Sequence, residues 1–226
     1  MLKDLLTLFY PKVCAACGGS LYKHEGHLCN NCYVHLPKSN FHVNRGNPVE
    51  RLFWGRVPLL AAGSFYLFNK GTRVQKLLHE LKYKGKQEAG ETVGAWYGKE
   101  LKSQAEFAGA DVIVPVPLHP RRLKQRGYNQ SLCIAKGLSA EMGIPVDETL
   151  IKRKAYSSTQ TKKSKFTRWE NVNEIFEPGT LKCLKGKHVL LVDDVITTGA
   201  TIEACYNALA KVGVLSVSLA TIAYAE

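Results

Sequence analysis

The sequence predicts an α/β protein, a mostly parallel sheet covered by helices on both faces, with a small four-cysteine module ahead of it. Three observations predict this. Apolar, β-favouring runs alternate with helical periodicities from Leu59 onward, the pattern of parallel strands joined by crossover helices. The run Val189-Leu190-Leu191-Val192 leads directly into Asp193 and Asp194, so a buried strand carries two carboxylates to the sheet edge where open α/β sheets bind ligands. Four of the seven cysteines fall in the first 32 residues, as Cys14-x2-Cys17 and Cys29-x2-Cys32.

From the N-terminus, Leu2, Leu5, Leu6, Leu8 and Phe9 give a short amphipathic helix. Lys3 and Asp4 break its apolar stretch and no small-residue cleavage site follows, so it is not read as a signal peptide. Pro37, Gly46, Pro48, Gly55 and Pro58 punctuate a polar stretch that reads as a connector. The expected division is therefore a module at 1–45, a connector at 46–58 and the α/β domain at 59–226. Within that domain the expected order is a strand from Leu59 to Phe68, helices Thr72 to Lys82 and Glu88 to Phe107, and a strand Val112 to Val116. A loop, a helix from Asn129 to Met142 and a strand near Leu150 come next. A basic polar stretch and a short helix around Phe166 to Val172 lead to the motif strand at Val189. A helix from Thr201 to Val212 and a strand from Val214 to Ala220 end the series.

Two CxxC pairs separated by eleven residues suit a tetrahedral thiolate site of the zinc-ribbon or zinc-knuckle type, each pair wrapping one side of a Zn2+ ion. Four thiolates leave no open position for water, so Cys14, Cys17, Cys29 and Cys32 point to a structural metal. Paired disulfides are the alternative, disfavoured without a secretory signal. His24, His27 and His35 are read as surface residues. Cys133, Cys183 and Cys205 lie singly in apolar surroundings.

After the acid pair, Thr197-Thr198-Gly199-Ala200-Thr201 places three hydroxyls around a glycine and opens a helical pattern at Ile202, Cys205 and Leu209. Backbone N–H groups and a helix N-terminus can cradle a phosphate there. A plain strand-turn-helix corner is the bland reading, but adjacent carboxylates beside a buried strand carry a desolvation cost that a turn has no reason to bear. Strand, acid pair and loop together resemble the phosphoribosyl-pyrophosphate (PRPP) motif of type I phosphoribosyltransferases. That resemblance implies a type I phosphoribosyltransferase-like sheet, with Asp193 and Asp194 holding the ribose 2′- and 3′-hydroxyls and residues 197–201 the 5′-phosphate.

A second motif starts at the strand Val112-Ile113-Val114-Pro115-Val116 and continues Pro117-Leu118-His119-Pro120-Arg121-Arg122, then Arg126-Gly127-Tyr128-Asn129-Gln130. Prolines at the strand's end stop pairing and hold this loop at the same edge as the acids. The wording VPVPLHPRR…RGYNQ, behind a CxxC…CxxC module, resembles the ComF family of late-competence proteins, relatives of GntX. Gln160, Arg168, Asn171, Val172 and Phe176 match a third block, although Lys163 stands where the family more often has leucine. The resemblance implies Mg2+-dependent PRPP binding, with the pyrophosphate at Pro117, Leu118, His119, Arg122 and Arg126, and a role in handling DNA during natural transformation. Guanidinium forks suit pyrophosphate or nucleic-acid phosphates equally. Asn129 either contacts the ligand or caps the following helix, and His119 either assists a proton transfer or is simply exposed.

Lys and Arg outnumber Asp and Glu by 31 to 19, a formal charge of +12, which implies a polyanionic partner. Seven basic residues and no acid lie between Lys152 and Arg168, and Arg121, Arg122, Lys124 and Arg126 form a second cluster; a solvated positive face is the alternative reading of both. No apolar run reaches membrane-span length, so a soluble, cytoplasmic protein is expected. Two functions fit. One is a binding protein for PRPP or nucleotide phosphates that handles single-stranded DNA, with Tyr128, Tyr156 or Trp169 stacking bases. The other is an active phosphoribosyltransferase moving ribose 5-phosphate from PRPP to an unidentified nitrogenous acceptor, with Asp193 and Asp194 stabilising positive charge on the ring. Thr197 stands where the purine-salvage enzymes carry an additional aspartate, and no residue can be named as a catalytic base. The cysteine module can also be read as a platform for other DNA-uptake proteins.

Overall fold

The computed structural model describes residues 11–154, 175–179 and 184–225. The expected N-terminal helix, the basic stretch beyond Lys154 with its short helix, the third motif block before Phe176 and Cys183 lie outside them. Six strands are numbered in chain order: β1 (Ala61–Phe68), β2 (Val112–Pro115), β3 (Ile151–Arg153), β4 (Phe176–Pro178), β5 (His188–Ile196) and β6 (Ser216–Ala225). The main sheet runs β1-β6-β5-β2 with every pairing parallel. An isolated parallel bridge between Ile113 and Val146 extends its β2 edge. The last strand is thus a central one, and it accounts for the near-continuous apolar run from Val217 to Ala223.

Side-chain alternation along β5 feeds two cores. Leu190 and Val192 face one, with α3 (Arg73–Tyr83), α4 (Gln87–Leu101) and α7 (Gln130–Met142). Val189 and Leu191 face the other, with α8 (Ala200–Ala210) and the small sheet β3-β4. Helices therefore cover both faces, as expected. The helices α4 and α7 approach so closely that a Cβ at Gly137 would lie 2.0 Å from Glu91 O, and one at Gly94 would lie 2.2 Å from Ile134 O.

The segment expected to connect two domains carries a capped turn, α2 (Pro48–Arg51). Buried Asn47 accepts from the Val49 and Glu50 amides and donates to Ala62 O at 2.9 Å. Val49, Phe53 and Val57 are buried in the same core as α8. The cysteine module, with α1 (Asn30–His35), packs on the opposite core. Tyr33 meets Trp96 edge to face at 4.9 Å, and Lys38 Nζ pairs with Glu100 at 2.6 Å.

Four expectations need correction. The helix expected from Glu88 to Phe107 ends at Leu101 and resumes as α5 (Ala105–Ala108), because Ser103 Oγ folds back onto Glu100 O and Gln104 starts a new turn that buries Phe107. The loop after β2 contains α6 (Pro120–Arg126), with Pro120 in its first turn and Gly127 ending it at φ 80°. Residues 176–178 form β4, antiparallel to β3. The expected final strand starts at Ser216 rather than Val214 and extends to Ala225. Among the described residues no helix is long and apolar enough to cross a membrane.

Candidate functional site

The acid pair lies within β5 itself, near its C-terminal end, where apolar alternation gives way to partly exposed side chains. A closed circuit of hydrogen bonds ties it to the second motif. Val116 N–H donates to Val192 O at 2.9 Å, and Asn129 Nδ2 donates to Val116 O at 3.0 Å. Asn129 Oδ1 in turn accepts from the Ser131 amide, and Ser131 Oγ donates to Asp193 Oδ1 at 2.9 Å. Asn129 is therefore the N-cap of α7, and its other amide end fastens that helix to the end of β2. Burial and the neighbouring Asp194 charge raise the Asp193 pKa; the Asp194 amide and Ser131 hydroxyl oppose the shift. Such a pair stores repulsion that a cation or a set of ligand hydroxyls relieves.

Beyond β5, Thr197, Thr198 and Thr201 are exposed, while Gly199 is buried at φ 76° as the N-cap of α8. Any Cβ on Gly199 would meet the Phe53 ring at 2.8 Å, so glycine is needed both for backbone sign and for space. No side chain caps α8, which leaves its first amides available to an anion. Arg56 braces the loop from outside: Nη1 donates to Thr198 O at 2.8 Å and to Leu52 O, and Nε donates to Glu203 at 3.0 Å.

On the other flank, Pro117, Leu118 and His119 follow β2 half-buried, and His119 Nδ1 accepts from the Arg121 amide at 3.1 Å as the cap of α6. Burial and the nearby Arg153, Arg121 and Arg122 hold His119 below the usual histidine pKa. Arg126 Nη1 donates to Gln130 Oε1 at 2.7 Å, and the guanidinium lies 5.2 Å over the Tyr83 ring. Lys82 Nζ is 3.1 Å from Asp194 Oδ2. The structure therefore brings Asp193, Asp194, residues 117–119 and Arg126 to one sheet edge, with residues 197–201 after the same strand. Arg121, Arg122 and Lys124 are exposed on α6.

Residues 129–226 match the phosphoribosyl transferase domain family. Competence protein F of Haemophilus influenzae is 30% identical over 202 residues, covering 89% of this chain and 80% of that protein. The chain belongs to the competence protein F (ComF) family. A second relative, DNA utilization protein YhgH of Escherichia coli, is 26% identical over 95% of this chain and 91% of its own length. The purine phosphoribosyltransferase of Pyrococcus horikoshii is 24% identical, with a TM-score of 0.40, over 60% of this chain and 73% of that one. In this ComF chain the phosphoribosyltransferase-like fold is thus given by the domain match and by the parallel sheet itself.

The ComF chain's four N-terminal cysteines converge with all their sulfurs within 4.8 Å of one another. Cys14 and Cys32 are 3.7 Å apart, as are Cys17 and Cys29; a tetrahedron with Zn–S bonds of 2.3 Å has edges of about 3.8 Å. The four sulfurs gather into one cluster rather than two separate CxxC pairs, and both 3.7 Å approaches run between the pairs. The Cys29 amide donates to Cys14 Sγ and the Gly19 amide to Cys17 Sγ, each at 3.4 Å, an outer shell that favours thiolate. Burial raises Cys14, but surrounding amides outweigh it and bring the thiol down to about 7. The cluster can hold a metal ion such as zinc. Cys133 and Cys205 are buried and apart from it, and His24 and His35 are exposed.

Sequence reasoning missed Lys82, Tyr83, Ser131 and Arg56, none of which belongs to a local phosphate or acid motif. Ser131 carried a signal, since it lies two residues after a capping asparagine and so faces the sheet edge. The other three depend on tertiary packing.

Proposed function

We propose that the protein binds PRPP or another ribose phosphate together with Mg2+ at the C-terminal edge of its sheet, and handles single-stranded DNA during natural competence. The observation that carries this is the acid pair of β5, tied through Ser131 and Asn129 to Val116 O at the end of β2 and followed by a glycine loop braced from outside by Arg56. Amides of residues 199–201 bind the 5′-phosphate, the two carboxylates take the ribose hydroxyls, and Arg126 with residues 117–119 faces the pyrophosphate. The donor set fits Mg2+, which is held through one or two carboxylates plus ligand phosphates. When bound, that ion neutralises pyrophosphate charge. A zinc ion at Cys14, Cys17, Cys29 and Cys32 serves structure, since four thiolates leave it no open position.

The DNA role is supported by the two relatives, a competence protein and a DNA utilization protein, and by the rim of exposed Arg121, Arg122 and Lys124. Of the rings expected to stack bases, Tyr128 is half-buried with its hydroxyl donating to Leu81 O, and Tyr156 and Trp169 lie outside the described residues. Tyr83, 56% exposed with the Arg126 guanidinium over its ring, is an exposed aromatic at this rim. Salt separates the two ligands. With about three backbone phosphates contacted at roughly −0.7 each, single-strand affinity should fall about 20-fold between about 50 and 200 mM salt. PRPP affinity should instead follow Mg2+ concentration; two ligands with the same steep salt slope and no Mg2+ dependence would remove the pocket from the account.

Arg56 gives a narrower test. Its bonds to Thr198 O and Glu203 hold the loop's shape without touching the site's anion-binding amides. Arg56→Ala should weaken ribose 5-phosphate binding roughly 5- to 30-fold, the worth of one or two lost charge-assisted bonds. Unchanged affinity by calorimetry would show that the loop holds its shape unaided.

A further inference from the structure

The last turn of α3 meets the site through three consecutive residues. Leu81 O accepts from the Tyr128 hydroxyl, Lys82 Nζ lies 3.1 Å from Asp194 Oδ2, and the Tyr83 ring carries the Arg126 guanidinium at 5.2 Å. This turn lies outside the matched domain, residues 129–226. Among the described residues, Lys82 is the one cation ion-paired with the acid pair. Its side chain and that of Asp194 are only partly exposed, 23% and 14%, so the charge is screened less than at an open surface.

We propose that Lys82 is a binding residue for the pyrophosphate end of the ligand, an inference that rests on the ribose-phosphate reading of this site. The geometry gives its direction. The loop at residues 197–201 is flanked by Phe53 and Arg56, whereas Lys82 stands on the other flank, next to the tyrosine that carries Arg126. A ligand with its 5′-phosphate on α8 and its ribose over the acids extends its remaining phosphates toward Lys82 and Arg126. A diphosphate set beside two carboxylates meets strong like-charge repulsion, and an ammonium in contact with one of them offsets it where the two anions come closest. Lysine suits this position, because its compact charge on a flexible stem can keep the carboxylate contact or shift to a phosphate oxygen within one rotamer change.

The role predicts selectivity rather than a general loss. Titrating PRPP with Mg2+, inorganic pyrophosphate with Mg2+, and ribose 5-phosphate into wild type and Lys82→Met should show the first two weakened roughly 10- to 100-fold and the third less than about threefold. Lys82→Arg, which keeps the charge, should recover most of the loss, and Lys82→Gln replaces Lys82→Met if the latter does not fold. Equal losses for all three ligands would reduce Lys82 to a residue that only positions Asp194, and no loss for any of them would remove it from the site; either result overturns the assignment. A wild type that binds none of the three overturns the ribose-phosphate reading itself, and the Lys82 assignment with it.

Discussion

Cys32→Ser is expected to abolish metal binding at the cysteine cluster and to lower the melting temperature by roughly 8 to 16 °C. Structural zinc supplies folding free energy directly, and losing one of four thiolates leaves an incomplete coordination shell. A loss of about 4 kcal/mol converts to about 8 to 16 °C in a chain of this size. The effect should reach beyond the module, because Cys14, Ala15, Ala16, Leu28, Cys29, Cys32 and Leu36 are buried in the same core as Leu77, Leu81, Val93 and Tyr97 of α3 and α4. Lys38–Glu100 and Tyr33–Trp96 cross the same seam. Metal analysis should find about one zinc per wild-type chain, and a strong chelator should reproduce the mutant's melting curve. Full zinc retention by Cys32→Ser, or Cys14–Cys17 and Cys29–Cys32 disulfides in place of metal, would refute the site.

Gly137→Ala is the second large effect, and here two principles give opposite signs. Alanine is the better helix former by about 1 kcal/mol. Against that, the new methyl would lie 2.0 Å from Glu91 O and 2.7 Å from Ala95 N, both backbone atoms of α4 that cannot rotate away. Overpacking costs about 1 to 3 kcal/mol, and a contact this short against fixed backbone lies at the upper end, so the clash wins and the melting temperature should fall by several degrees. The consequence continues to the ligand site. The helix α7 carries Ser131, which holds Asp193, six residues before this crossing. A displaced α7 should therefore also weaken ribose-phosphate binding. A more stable Gly137→Ala protein would show that α4 and α7 do not pack at this distance.

Local features were legible in the sequence and tertiary ones were not. The strand-acid-acid-threonine-glycine run and the two CxxC pairs could be read because each places its chemistry within a few residues. The mostly parallel sheet followed from its alternating elements. The helix α6 has start and stop signals in Pro120 and Gly127, but Arg121, Arg122, Lys124 and Arg126 leave it no apolar face to give a helical period, so the sequence reads as loop there. The strand β4 has three residues and ends in proline, below what periodicity detects. Lys82 is the last residue of an expected helix and Arg56 lies in the expected connector, and no local motif singles out either. Each acquires a role only when α3 and the α2 segment pack against the sheet edge. His119 held a choice between exposure and chemistry; the structure gives its Nδ1 to the α6 cap.

Whether the β5 carboxylates hold a ribose phosphate is decided by isothermal titration of Mg2+–PRPP into wild type and Asp193→Asn/Asp194→Asn, with single-stranded DNA titrated in parallel. The substitution keeps side-chain size while removing both charges, so the β5 edge and the Ser131 contact should survive. Wild type should bind PRPP saturably, the double variant should lose that binding by 100-fold or so, and DNA binding should be largely retained on the basic rim. Equal PRPP affinity in both proteins, or loss of neither ligand, would contradict the assignment of this pocket.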